Sequence, residues 1–223
     1  MRDQNLSTQH QNLQKAYKLS SPEDNINFYK EWADEYEQDF AIGMDYILPF
    51  QVASLFLKQK VRGPVLDIGA GTGLLGAEIR KQSEIELHAT DISAEMLLIA
   101  EKKRVYKNNF VGDLTKGLPV GDNSYNGIVS SGTFTHGHVG PEALFEVSRI
   151  LSKDGLAVVS INSKHWESLG FDKAQKSLEL SGSETSLTKV KIYGDNCKAD
   201  ARNDTAYLPV SYTHLTLPTI YSV

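Results

Sequence analysis

The residues best suited to chemistry lie between positions 65 and 113. Segment 65–73 reads Val-Leu-Asp-Ile-Gly-Ala-Gly-Thr-Gly. An apolar run ending in Gly69, Gly71 and Gly73 describes a buried strand that turns sharply into a helix. Without side chains on those glycines, the backbone can come close to a ligand and aim its N–H groups at it. Asp91 closes the next apolar run (His-Ala-Thr-Asp-Ile, 88–92), about 20 residues further on, where a carboxylate can accept hydrogen bonds from ribose hydroxyls. Asp113 follows a third run (Asn-Phe-Val-Gly-Asp-Leu, 109–114), where it can meet an adenine amino group. Either aspartate alone also reads as a helix cap or turn residue. Three such features in order, each at a strand end, point to a nucleotide-like ligand.

Two ligands compete for this constellation. Residues 71–76, Gly-Thr-Gly-Leu-Leu-Gly, satisfy the G-x-G-x-x-G dinucleotide pattern with Asp91 at the expected distance, which suits an NAD-dependent oxidoreductase. Asp67, two residues before the first glycine, favours S-adenosylmethionine instead. A carboxylate at that strand end can help hold a cationic amino-acid moiety but sits poorly against a pyrophosphate. A third reading is a noncatalytic protein that binds a cofactor and has no acceptor site.

The elements needed to position these residues follow from the hydrophobic pattern. Short apolar runs at 65–68, 85–90, 109–111, 127–131 and 156–161 read as buried strands. Helical spacing marks 74–82, 94–104 and 141–151 between them, and 165–180 after them. Such alternation implies a doubly wound α/β sheet, mostly parallel, with helices on both faces. Runs at 188–193 and 205–208, joined by a polar stretch, predict a hairpin-like return and an antiparallel last strand. Before the sheet, Ser21-Pro22-Glu23-Asp24 reads as a helix start with Ile26, Tyr29, Trp32, Ala33, Tyr36 and Phe40 at helical spacing. A second helix is predicted over 46–58. Together they form a helical cap over 21–60, and residues 1–20 read as a flexible polar terminus.

Composition narrows the function classes. The 223 residues carry a net charge of −5, which argues against nonspecific nucleic-acid binding. The acidic run from Glu23 to Asp39 reads as a solvated helix face. The single cysteine, Cys197, excludes an intramolecular disulfide and a cysteine-built metal site. His136 and His138 lack a third ligand nearby and make a weak metal site. No apolar run is long enough to span a bilayer, and the first residues lack a signal-peptide core; the expectation is a cytoplasmic protein without membrane contact. The sequence does not set the oligomeric state.

Residues 25–208 resemble the Rossmann-like, class I S-adenosylmethionine-dependent methyltransferases. Segment 65–73 is similar to their first motif, 118–129 to the lead-in to strand four, and 144–155 to the helix and turn before strand five. Tyr125-Asn126 stands where Phe-Asp is commoner, and Lys153-Asp154-Gly155 where Pro-Gly-Gly is commoner. Segment 29–39 is similar to the N-terminal helix of the methyltransferase-like proteins of the Williams–Beuren region type. The resemblance implies that Gly69, Ala70 and Gly71 line the methionine and ribose part of S-adenosylmethionine. By the same resemblance, Asp91 holds the ribose, Ile92 and Leu114 flank the adenine, and Asp113 reaches its amino group. Ser131 would offer its backbone to the methionine ammonium, and Trp32 and Tyr36 would close the pocket or simply pack the core. His136, in the loop after strand four, is the candidate general base, should the acceptor need to lose a proton. The Asn/Asp-Pro-Pro-Tyr/Phe and Pro-Cys signatures of nucleic-acid methylation are absent there. A small-molecule acceptor is the leading expectation and a protein acceptor the second.

The end of the chain differs in kind. No charged residue follows Asp204. Residues 210–219 can be encoded by a string resembling the end of a transposase-based sequencing-library adapter. The expectation is a native methyltransferase domain over 21–209 and a non-native tail over 210–223.

Overall fold

The computed structural model describes residue 15 and residues 22–33, 35–135, 139–197 and 200–213. The N-terminal segment forms helix α1 (Pro22–Trp32), a π-helical turn (Glu37–Ile42) and helix α2 (Leu48–Leu57), with Pro49 in the first turn of α2 where its missing N–H costs nothing. The alternating part follows as β1 (Val65–Ile68), α3 (Leu74–Arg80), β2 (Leu87–Asp91), α4 (Ala94–Lys102), β3 (Asn108–Val111), β4 (Tyr125–Phe134), α5 (Ala143–Ile150) and β5 (Leu151–Asn162). The chain then continues through α6 (Phe171–Leu180), β6 (Ser183–Lys191) and β7 (Thr205–Thr213).

The strands form one sheet in the order β3-β2-β1-β4-β5-β7-β6. β1 pairs in parallel with β2 and β4, and β7 runs antiparallel to both β5 and β6, as the pattern predicted. Side chains alternate across a strand, and here that separates two cores. Val65, Val129, Leu156 and Val158 pack on one face with residues of α2 and α3. Leu66, Ile68, Ile128 and Val159 pack on the other with residues of α5 and α6. The strand order reverses between β1 and β4, which opens a crevice at their carboxyl ends, the usual ligand site of open α/β sheets.

Three boundaries differ from the sequence pattern. The periodic aromatics expected on one helix are divided between α1 and the π-helical turn, a deformation common at functional sites. The helix predicted from 165 starts at Phe171, because Trp166 is docked on Tyr207 with ring centroids 5.1 Å apart. β7 extends to Thr213, so the expected boundary at 209 falls inside a strand: Val210 is buried and pairs with Val158 and Ser186. Apolar alternation is sufficient for such pairing, whatever the DNA origin of the residues. Among the described residues, no helix is long and apolar enough to cross a membrane.

Candidate functional site

A cavity of about 180 Å³ lies at the carboxyl ends of the strands, under the N-terminal cap. Its floor is the glycine turn. The N–H groups of Gly69 and Ala70 both donate to the Thr90 carbonyl, at 2.8 and 3.0 Å, which draws the turn over the end of β2. Gly69 and Gly71 hold φ of +65° and +54°, the left-handed region that favours glycine. Nothing lies within 4 Å of where a Cβ on Gly71 would stand, so the cradle above it is open.

Asp91 ends β2 beside this turn. Its Oδ2 accepts from the Gly71 N–H at 2.7 Å and its Oδ1 from the Ser93 N–H at 2.9 Å. Burial pushes its carboxyl above the ordinary value, against those backbone bonds, which favour the ionised form. Asp113 caps the short 3-10 turn Leu114–Lys116, accepting from Thr115 and pairing with Lys116 at 2.9 Å. Burial opposes ionisation there too, but the bonds from Thr115 and Lys116 hold its carboxyl below the usual range.

The roof comes from the cap. Trp32, Tyr36 and Phe40 meet one another at centroid distances of 5.1–5.8 Å, and all three face the cavity. Burial, together with nearby Tyr46, Tyr29 and Asp91, pushes the Tyr36 hydroxyl well above its ordinary value and keeps it protonated. Lys103, at the end of α4, pins the roof to the floor: its ammonium pairs with Glu37 of the π-helical turn and donates to the Thr72 carbonyl at 2.6 Å. Lys30 and Glu95 add a second tie at 3.4 Å.

The structure brings Trp32, Tyr36, Gly69, Gly71, Asp91, Ile92, Asp113, Leu114 and Ser131 to this one cavity. Asp67 and Ala70 are placed elsewhere. Asp67 is 1% exposed and accepts from the Tyr106 hydroxyl at 2.6 Å, on the face of β1 that packs against α3. It alternates with Ile68, which does line the cavity. The expectation that the Asp67 carboxylate holds the ligand's cationic end is therefore corrected: it buttresses the turn from beneath. The Ala70 side chain packs against Ala89 and Leu97, leaving only its backbone near the turn. His136 and His138 lie outside the described residues, and among those described no group of three or more His, Cys, Asp or Glu could hold a metal. The pattern missed Phe40 as a wall residue and missed Tyr46 and Tyr193 altogether; Tyr46 places its hydroxyl 3.3 Å from Ser131 Oγ. Residues that converge from positions so far apart leave no local signal.

Burial pushes the Asp67 carboxyl up to about 7, against the bond from Tyr106. Between the unfolded value of 3.8 and that value, the folded state binds more protons than the unfolded state, so stability falls as pH rises. Relative to Asp67→Asn, the wild type should lose roughly 2–4 kcal/mol across that window. Urea denaturation of both proteins at a series of pH values tests this. Parallel stability profiles would mean that Asp67 titrates as an ordinary surface carboxyl.

The cavity suits S-adenosylmethionine. The Asp91 carboxylate has acceptor capacity beyond the bonds its backbone partners make, and the apolar side chains of Ile92, Met96 and Leu114 line the same cavity. Three buried polar atoms of lining residues, Trp32 Nε1, Thr90 Oγ1 and Thr135 Oγ1, have no partner among the described residues. Orphans of this kind are rare in native proteins, and a bound polar ligand or an ordered water would satisfy them.

Comparison with known proteins agrees with this fit. Residues 65–155 match the family model described as a methyltransferase domain. Human methyltransferase-like protein 27 is 31% identical over 128 residues, 55% of this chain and 51% of that protein. The chain thus spans about half the length of the curated relative it matches. A TehB-like S-adenosylmethionine-dependent methyltransferase from Corynebacterium glutamicum is 21% identical, with 87% of this chain and 100% of that one covered and a TM-score of 0.56. The [4+2]-cyclase SpnF is 14% identical, with 88% and 97% covered and a TM-score of 0.66. At such identities the two structures show a shared fold only. Residues 65–155 thus match a methyltransferase domain, and they lie on a sheet of Rossmann-like strand order. A methyltransferase match over the segment that holds residues 71–76 favours S-adenosylmethionine over the dinucleotide reading of those residues.

Proposed function

We infer that the protein transfers the methyl group of S-adenosylmethionine to a small-molecule acceptor. The observation that carries this reading is the convergence of the glycine cradle, Asp91 and Asp113 on one cavity roofed by Trp32, Tyr36 and Phe40. When bound, the cofactor supplies an activated methyl group on a positively charged sulfur. Asp91 would hold the ribose hydroxyls, Asp113 the adenine amino group, and Ile92 and Leu114 the faces of the ring. Gly69, Gly71 and the Ser131 backbone would line the methionine end. Proximity and alignment are the chief demands on the chain, and such effects supply roughly 7–11 kcal/mol in well-oriented intramolecular reactions. The roof residues would exclude water and keep the reacting groups in line. His136 remains the proposed base for acceptors that must lose a proton, and a cytoplasmic location is proposed from the same sequence features as before.

The cyclase among the similar structures shows why fold alone does not establish this activity. The test is incubation of the full chain with isotopically labelled methyl donor and pools of small molecules, alongside a thermal-shift titration with S-adenosylhomocysteine. A ligand at a hundred times its Kd adds about 2.7 kcal/mol of stability, an easily measured shift. Labelled product together with that shift is expected. A shift without labelled product from small-molecule or protein pools would leave a noncatalytic binding protein. No shift would overturn the reading.

A further inference from the structure

Gly76 completes the pattern of residues 71–76, and the methyl-transfer reading gives it no role. Neither Gly73 nor Gly76 is among the described residues that line the cavity, and both have another reason to lack a side chain. A Cβ on Gly76 would stand 2.4 Å from both the Cζ and the hydroxyl oxygen of Tyr106. One on Gly73 would stand 3.1 Å from Tyr106 Cε2. The Tyr106 ring fills the space behind the turn that two side chains would otherwise take.

Tyr106 lies in the short connection between α4 and β3, and its neighbours are anchored on both sides. Arg80 of α3 donates to the Val105 carbonyl at 2.9 Å, and the Lys107 N–H donates to the Leu87 carbonyl of β2 at 2.8 Å. The ring packs against the cluster of Ala70, Ala89 and Leu97. From there its hydroxyl reaches Asp67 Oδ2 on β1, 2.6 Å away. Burial and the adjacent Asp67 push this hydroxyl well above its ordinary value, so it stays protonated and acts as the donor. Tyr106 thus holds the turn at its strand end through Asp67 and at its helix end through Gly73 and Gly76.

The groups that act on the Asp67 carboxyl come from three sides. The Tyr106 hydroxyl and the Gly76 N–H of α3 favour its ionised form, while burial and the Asp91 carboxyl of β2 oppose it. Lys103 of α4 is engaged instead with Glu37 and the Thr72 carbonyl.

We propose that Tyr106 is a positioning residue for cofactor binding: bonded to Asp67 and seated under Gly73 and Gly76, it sets the cradle that receives the amino-acid end of S-adenosylmethionine. This rests on the methyl-transfer reading.

The test is calorimetric titration of the full chain, wild type and Tyr106→Phe, with two ligands. One is S-adenosylhomocysteine; the other is 5′-methylthioadenosine, which keeps the ribose and adenine but lacks the amino-acid end. Tyr106→Phe keeps the ring and removes the hydroxyl. It is expected to weaken S-adenosylhomocysteine about tenfold, the scale of one hydrogen bond to a charged acceptor, and 5′-methylthioadenosine by less than about twofold. A residue that only stabilised the fold would lower the melting temperature and leave both affinities of the folded protein unchanged. The pH profile reports the bond itself. Loss of the donor raises the Asp67 carboxyl above about 7, so the fall of stability with rising pH should continue to higher pH in Tyr106→Phe.

The contact with Gly76 has its own check. Gly76→Ala should lower the melting temperature by roughly 3–10 °C in the wild type. In a Tyr106→Leu background it should lower it far less, because the atoms that the new Cβ would strike are gone. Should Gly76→Ala fail to fold, recovery of a folded protein in the double variant gives the same answer. Unchanged S-adenosylhomocysteine affinity in Tyr106→Phe, or an equal loss for both ligands, would overturn the inference and leave the methyl-transfer reading standing. Failure of the wild type to bind S-adenosylhomocysteine would overturn both.

Discussion

Asp91→Ala is expected to lower the affinity for S-adenosylhomocysteine by two to four orders of magnitude. A hydrogen bond to a charged group is worth about 1.5–3 kcal/mol, and Asp91 would make one to each ribose hydroxyl. Loss of both is roughly 3–6 kcal/mol, about a hundred- to ten-thousandfold in Kd. The geometry permits these bonds because two carboxylate oxygens offer about four acceptor positions, and the backbone N–H groups of Gly71, Ile92 and Ser93 do not fill them all. Asp91→Asn retains one acceptor oxygen and should fall between the wild type and the alanine variant. The stability of the free protein should change far less. Truncation releases the backbone N–H groups bonded to the carboxylate, but it also removes a carboxylate whose ionisation burial disfavours. Calorimetric titration with S-adenosylhomocysteine, paired with thermal melts of the free proteins, separates the two effects. An unchanged Kd in Asp91→Ala would remove Asp91 from the site.

The second large effect distinguishes two glycines of one turn. Gly69→Ala should damage the fold itself. Its Cβ would stand 2.0 Å from Thr133 Oγ1 and 2.9 Å from Thr133 Cβ, in a residue already at φ +65°. Left-handed backbone costs a residue with a side chain about 1–2 kcal/mol, and overpacking adds about 1–3 kcal/mol. Thr133 has little room to retreat, since its hydroxyl donates to the Ile68 carbonyl at 3.1 Å. A destabilisation of about 2–5 kcal/mol is expected, enough to unfold a marginal domain. Gly71→Ala carries the backbone term without the collision, because its Cβ meets nothing. It should remain folded, with a loss of about 1–2 kcal/mol, yet bind cofactor poorly because the methyl group fills the cradle. Chemical denaturation and calorimetry of both variants should show this crossover. If Gly69→Ala were the more stable of the two, the contact between the turn and β4 would be misassigned.

Much of the fold is readable in the sequence because its signals are local. Gly69, Gly71 and Gly73 after a buried run mark a strand-to-helix turn, and Asp91 and Asp113 end runs of the right length. Where propensity and tertiary packing disagreed, packing won. The aromatic period from Tyr29 to Phe40 suggests one helix, but three rings had to meet over a cavity, and the chain divides into α1 and a π-helical turn. Trp166 is similarly taken out of a predicted helix to cover Tyr207.

The site follows the same division. Sequence alone located the core of the proposed cofactor half, since Gly69, Asp91 and Asp113 each lie at the end of a strand and a parallel sheet aligns those ends by construction. Tertiary structure alone decided the rest. It turned Asp67 to the rear of β1, where alternation along the strand and the Tyr106 hydroxyl hold it. It also joined Phe40, Tyr46 and Tyr193 into one wall through an antiparallel bridge between distant segments. A side chain's type and spacing report what it can bind. The face it occupies, and the partners that arrive from the far end of the chain, are set by packing, which no local pattern encodes.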